Sequence, residues 1–159
     1  MNLHVDIQSA CREPVPDVDN IHRWIAAALR NRSSKESIEI TVRLINNDEM
    51  ANLNHQYRGK PGATNVLSFP AGLPTELDLP LLGDIVICAP VVIAEAARQG
   101  KSANAHWAHM TVHGTLHLLG YDHIEEHDAE IMEALESTIL NELDFDCPYK
   151  TNVPREHSI

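Results

Sequence analysis

The chain is short of positive charge. Lys and Arg together number 12 against 23 Asp and Glu, leaving a net charge of −11. A protein of that balance is a poor candidate for coating nucleic acid by charge alone. The deficit is uneven: residues 1–65 hold 8 basic and 8 acidic side chains, whereas residues 66–159 hold 4 and 15. Any basic groove is therefore expected in the first half. No run of about eighteen apolar residues is present, so no membrane span is expected. The opening MNLHVDIQSA has neither a basic n-region nor an apolar h-region, so no secretory signal is expected there. Cysteine is scarce: Cys11, Cys88 and Cys147 are odd in number and widely spaced, which fits reduced thiols in a cytosol better than a disulfide framework. There is no internal repeat and no low-complexity linker, and 159 residues suit one domain with a full core.

Histidine is what the chain does have. His106 to His123 reads HWAHMTVHGTLHLLGYDH, five histidines in eighteen residues. A lone histidine is usually a surface or hydrogen-bonded core residue, and His4, His22, His55, His127 and His157 have no partner at ligand spacing. His113 and His117 are four apart, which on a helix puts them on one face within reach of one ion. His109 and His113 share that spacing, but only the 113/117 pair is followed by a glycine, Gly120, and a further histidine, His123. Gly120 is suited to end the helix and turn the chain so that His123 returns as a third ligand. Three imidazoles with an open fourth position describe a catalytic zinc site. His106 and His109 are then packing residues or hydrogen-bond partners of the ligands.

The spacing H-x3-H-x2-G-x2-H also matches the metzincin proteases, whose catalytic glutamate follows the first histidine. Gly114 stands there, which argues against peptide hydrolysis. Gly114 either leaves room for substrate or allows close helix packing. Asp122, the nearest acid, reads as a turn residue or a hydrogen-bond partner of the ligands, with a base as the alternative. A third reading is a non-enzymatic factor with structural zinc, which normally needs four protein ligands. The candidates for a fourth are His109, Asp122 and Cys147.

Around this stretch the pattern is α+β: a single domain with a four-stranded mixed sheet packed with about five helices. Leu3, Val5 and Ile7 alternate as a first strand, and Ile38, Ile40, Val42 and Leu44 as a second. Thr64–Phe69 reads as a third strand and Asp84–Cys88 as a fourth, interior one. Helices are expected over about 18–31, capped by Asp17 with Val18, Ile21, Ile25 and Leu29 inward, and from Asn46 to Tyr57, opened by Asn46 with Glu49. Three more follow: from Pro90 to Gly100, over 103–119 with the histidines, and over 125–142 with Met132, Leu135, Ile139 and Leu143 inward. Residues 58–62 form a flexible basic loop, 71–82 an irregular crossing, and about 145–159 a loose tail. The acidic last helix (Glu125, Glu126, Asp128, Glu130, Glu133, Glu136) reads as a solvated face, with a partner surface as the alternative.

Three blocks carry a more specific likeness. HGTLHLLGYDH (113–123), LNHQYRGKPGATNVLSFP (53–70) and LGDIVIC (82–88) stand in one order within about residues 38–143. Together they resemble the YbeY family of bacterial metal-dependent endoribonucleases, which act in ribosomal RNA maturation and ribosome quality control. The resemblance implies one Zn2+ held by His113, His117 and His123, with His113 also serving catalysis. It implies that Arg58, with Lys60 beside it, meets the RNA phosphates. Asn65 stands where many members have aspartate. The implied partners are ribosomal RNA and the ribosomal particle or its associated proteins, in the cytoplasm, with neither DNA nor membrane.

Overall fold

The computed structural model describes residues 2–73, 77, 79–146 and 148–149. In chain order the elements are β1 (Asn2–Ala10), α1 (Val18–Leu29), β2 (Ser37–Ile45), α2 (Asn47–Arg58), β3 (Val66–Pro70), β4 (Leu81–Cys88), α3 (Ala89–Gln99), α4 (Ala103–Leu118) and α5 (Glu126–Glu142). The strands form one mixed sheet in the order β1-β2-β4-β3. β1, β2 and β4 run parallel, and β3 closes one edge antiparallel to β4. This is the expected single-domain α+β architecture with four strands and five helices.

The alternation of each strand decides which side is sealed. Ile38, Ile40, Val42 and Leu44 of β2 join Ile85 and Ile87 of β4 and Val66 of β3 in the main core. Trp24 and Ile25 of α1, Trp107, Val112 and Leu116 of α4, and Met132 and Ile139 of α5 cover that face. The opposite parity, Leu67 and Val86, packs under Met50 and Leu53 of α2 in a smaller cluster. β4 lies between two strands with residues 85–88 buried, as its unbroken apolar run predicts.

Some boundaries differ from the sequence reading. β4 starts at Leu81, inside the expected crossing loop, because Glu39 N–H donates to the Pro80 carbonyl (2.9 Å) and Gly83 pairs with Pro70. Positions 74–76 and 78 of that loop lie outside the described residues. Asp17 occupies the α1 N-cap but its side chain caps nothing, and Val18 is 60% exposed rather than inward. Asn46 does cap α2, accepting from Glu49 N–H at 3.0 Å. The stretch expected to be loose from about residue 145 begins docked: Phe145 packs edge-on to Trp24, and the Tyr149 hydroxyl donates to Glu136. Positions 150–159 lie outside the described residues.

Candidate metal centre

α4 is packed against α1, α3, α5, β3 and β4. From His106 to Leu118 every residue is buried except His113 and His117. Those two, one helical turn apart, are where the helix opens to solvent. Its end is built to deliver the third histidine. Gly120 has φ +100°, its N–H donates to the His117 carbonyl (3.0 Å), and Tyr121 N–H donates to the Leu116 carbonyl (3.1 Å). This Schellman pattern needs a left-handed residue at Gly120 and turns the chain back over the helix. Asp122 then fixes the turn, its Oδ1 accepting from the N–H groups of His123 (2.6 Å) and Ile124 (3.3 Å). The turn reading of Asp122 therefore holds.

One ligand atom from each of His113, His117 and His123 lies within 4.8 Å of the others. His117 Nε2 and His123 Nδ1 are 3.0 Å apart. Three imidazoles converging at the mouth of a pocket match the donor set of a zinc site with one open position, so the residues present fit the ion. Burial, with the neighbouring His113 and His123 rings, lowers His117 to about 4, so it is unprotonated and ligand-competent at neutral pH. At His117 the unfolded chain therefore holds more proton than the folded one between pH 6.5 and about 4. The melting temperature of chelator-treated protein should accordingly fall as pH is lowered through that window. A flat or rising profile there, read by circular dichroism, would contradict the burial of His117.

Residues that sequence reasoning set aside complete the surroundings. Glu136, which composition groups with the acidic surface of α5, is fully buried. Its Oε2 accepts from His113 Nδ1 (2.5 Å) and its Oε1 from His109 Nε2 (2.9 Å). Burial pushes the Glu136 carboxyl up, but the hydrogen bonds from His109 and His113 outweigh it and hold the group well below the usual carboxylate range. Burial likewise lowers His109, against the pull of Glu136. The legible signal was position: Glu136 falls in the inward stripe of Met132, Ile139 and Leu140. A second, half-buried group lies nearer the start of α4, where His106 Nε2 meets Glu95 Oε1 at 2.9 Å and Asn65 Nδ2 donates to the same carboxylate (3.1 Å). The bond with His106 lowers the Glu95 carboxyl despite its burial. Asn65 is thus held as a donor facing Glu95, a place where aspartate would set two carboxylates against each other. Of the candidates for a fourth ligand, His109 is hydrogen-bonded to Glu136 and Asp122 uses its Oδ1 in the turn, while Cys147 lies outside the described residues.

A cavity of about 340 Å³ is lined by the three histidines together with Arg58, Asn65, Ser68 and Asp122. Arg58, 55 residues before His113, is the last residue of α2. The loop after it is less free than its composition suggests: Asn54 Nδ2 donates to the Gly62 carbonyl (2.9 Å) and Lys60 N–H to the Asn54 carbonyl (3.3 Å). Lys60 is exposed and outside the cavity lining.

Gly114 is resolved in favour of close packing. A Cβ there would lie 2.8 Å from Ile85 Cγ2 and 3.3 Å from Ser68 Oγ, so the residue faces the sheet and not the cavity. Ser68 Oγ also donates to the Gly114 carbonyl at 3.0 Å. No catalytic glutamate fits at this position. Gly114→Ala should destabilise the fold by about 1–2 kcal/mol, since overpacking costs about 1–3 kcal/mol and the helix gains at most about 1. A urea midpoint at or above that of the parent would refute the contact.

The sequence profile described as Endoribonuclease YbeY matches residues 8–144. The chain belongs to the YbeY family. A Pseudomonas syringae pv. tomato protein named Endoribonuclease YbeY is 53% identical over 156 residues, covering 98% of this chain and 93% of its own. One of the same name from Psychromonas ingrahamii is 52% identical over 153 residues, covering 94% and 97%. The solution structure of a Thermotoga maritima protein, 22% identical, superposes with a TM-score of 0.57 over 92% of this chain and 99% of that one, which shows the shared fold. Among the described residues no helix is long and apolar enough to cross a membrane.

Proposed function

We propose that this YbeY-family chain is a zinc-dependent endoribonuclease that cuts single-stranded RNA. The proposed role is processing of the 16S 3′ end and ribosome maturation and quality control in the cytoplasm. The observation that carries this reading is the single cavity lined by His113, His117, His123 and Arg58. The family name of its relatives supplies the substrate class. Ribosomal RNA, on a ribosomal particle or with ribosome-associated proteins, is the proposed partner; DNA and membranes are not. An acidic chain that places one cation in its pocket depends on such presentation of the substrate.

In this reading His113, His117 and His123 hold one Zn2+ per chain. When bound, the ion supplies Lewis acidity toward a phosphoryl oxygen and a water molecule. Glu136 accepts the Nδ1 proton of His113 and so turns its Nε2 toward the shared centre. Arg58 forks onto the non-bridging phosphate oxygens, where negative charge grows during cleavage, and Lys60 adds positive charge outside the cavity. Asn65, with its amide donating to Glu95 and its carbonyl accepting from Val66 N–H, is a fixed wall of the cavity and transfers no proton.

The test is cleavage of a single-stranded ribosomal RNA fragment before chelation, after it, and after zinc is restored. Activity should vanish and return with the metal. Full cleavage by metal-free protein would falsify the metal reading. The ends of the product identify the nucleophile: a 2′,3′-cyclic phosphate rules out direct attack by water.

A further inference from the structure

Glu136 is the only acidic side chain among the described residues that is buried from solvent. It stands in the apolar stripe of α5, where another aliphatic residue would extend the core. Removing a carboxylate from water costs several kcal/mol unless hydrogen bonds compensate. Both of its oxygens are engaged: Oε2 with His113 Nδ1, Oε1 with His109 Nε2 and with the Tyr149 hydroxyl. An imidazole has two nitrogens, and the first commitment leaves His113 only Nε2. Its ring centroid lies 4.7 Å from that of His117 and 5.2 Å from that of His123. His109 meets Glu136 from the other side through its opposite nitrogen, Nε2. Its Nδ1 is buried and without a hydrogen-bond partner among the described residues, as suits the ring nitrogen that carries no proton.

We propose that Glu136 is a positioning residue that locks His113 in its Nδ1–H form for metal binding, and that Tyr149 from the C-terminal segment completes the clamp. The inference rests on the metal reading above. Its chemistry is general: a carboxylate on the outer nitrogen of a ligating histidine fixes the ring and raises the basicity of the inner one, and loss of such a partner typically lowers metal affinity 10–100-fold. Glu136 holds this position from 23 residues beyond His113, on a different helix. Tyr149 adds a third donor from a segment beyond all regular structure. His109 supplies the second donor and keeps Oε1 from turning toward the metal.

The experiment measures zinc affinity by chelator competition, without RNA, for the parent chain, Glu136→Gln and Tyr149→Phe. Long-range 1H–15N spectra of the histidine rings accompany it. Glu136→Gln should bind zinc about 10–100-fold more weakly, and Tyr149→Phe should weaken binding by a smaller factor. The metal-free parent should show His113 protonated at Nδ1 and bare at Nε2. Equal affinity of parent and Glu136→Gln overturns the proposal, as does a parent spectrum with the proton on Nε2. If Glu136→Gln fails to fold, the parent spectrum and Tyr149→Phe still decide. A parent that binds no zinc, yet shows the expected ring form, would refute the metal reading while leaving the Glu136–His113 contact standing.

Discussion

His113→Ala is expected to empty the centre and to lower RNA cleavage by about three orders of magnitude or more. A ligated metal contributes several kcal/mol to stabilising charge in the transition state, and each 1.36 kcal/mol is about a tenfold change in rate. The substitution does more than remove one of three ligands. It also takes a hydrogen bond from a carboxylate with no exposure to solvent. Leaving such a group short of a partner costs about 1–3 kcal/mol. His117→Ala separates the two effects, because His117 touches no buried acid and its nearest polar contact is His123. Both variants should purify without stoichiometric zinc, and His113→Ala should in addition melt lower than His117→Ala when both are metal-free. Metal content by mass spectrometry, cleavage of a single-stranded RNA and thermal melting decide the matter together. Full occupancy and full cleavage by His113→Ala would remove the centre from the mechanism.

Arg58→Ala is expected to keep zinc and lower the cleavage rate by about 10²–10³, the usual effect of losing one donor aimed at developing negative charge. Arg58 makes no hydrogen bond with the histidines and ends a helix that alanine continues without strain. The variant should therefore melt close to the parent. Arg58→Lys keeps the charge but not the planar fork, and should recover only part of the rate. A variant that cleaves at the parent rate would return Arg58 to the role of a cation at a helix end. The contrast matters: one substitution loses metal and rate, the other loses rate alone.

Much of this was legible because the relevant signals are local. Strict alternation over 38–44 marked β2 and its buried face, and Asn46 with Glu49 marked the start of α2. The pairing of His113 and His117, and the glycine turn that brings His123 back beside them, follow from helical spacing and one left-handed residue. Other features depend on pairing across the sheet. That β3 is antiparallel and at the edge, and that Leu81 rather than Asp84 begins β4, are settled by partners far away in the chain. Glu136 was hidden for a different reason. It sits among six other acidic residues of α5 and its approach, so composition assigns it to the surface, while its spacing from Met132 and Ile139 places it in the core. For a charged residue, spacing was the better guide than company. Gly114 was ambiguous by sequence, because the atoms that exclude a side chain there belong to β3 and β4.

The burial of α4 has a kinetic consequence. Enclosed by α1, α3, α5 and the sheet, its amides are expected to exchange slowly with solvent, and His113 and His117 are carried on this helix. His123 sits on an exposed turn held by Asp122. A bound ion would therefore enter and leave through detachment of His123, with the other two ligands waiting in place. The residence time of such an ion would then be set by the surface turn that carries His123, without global unfolding.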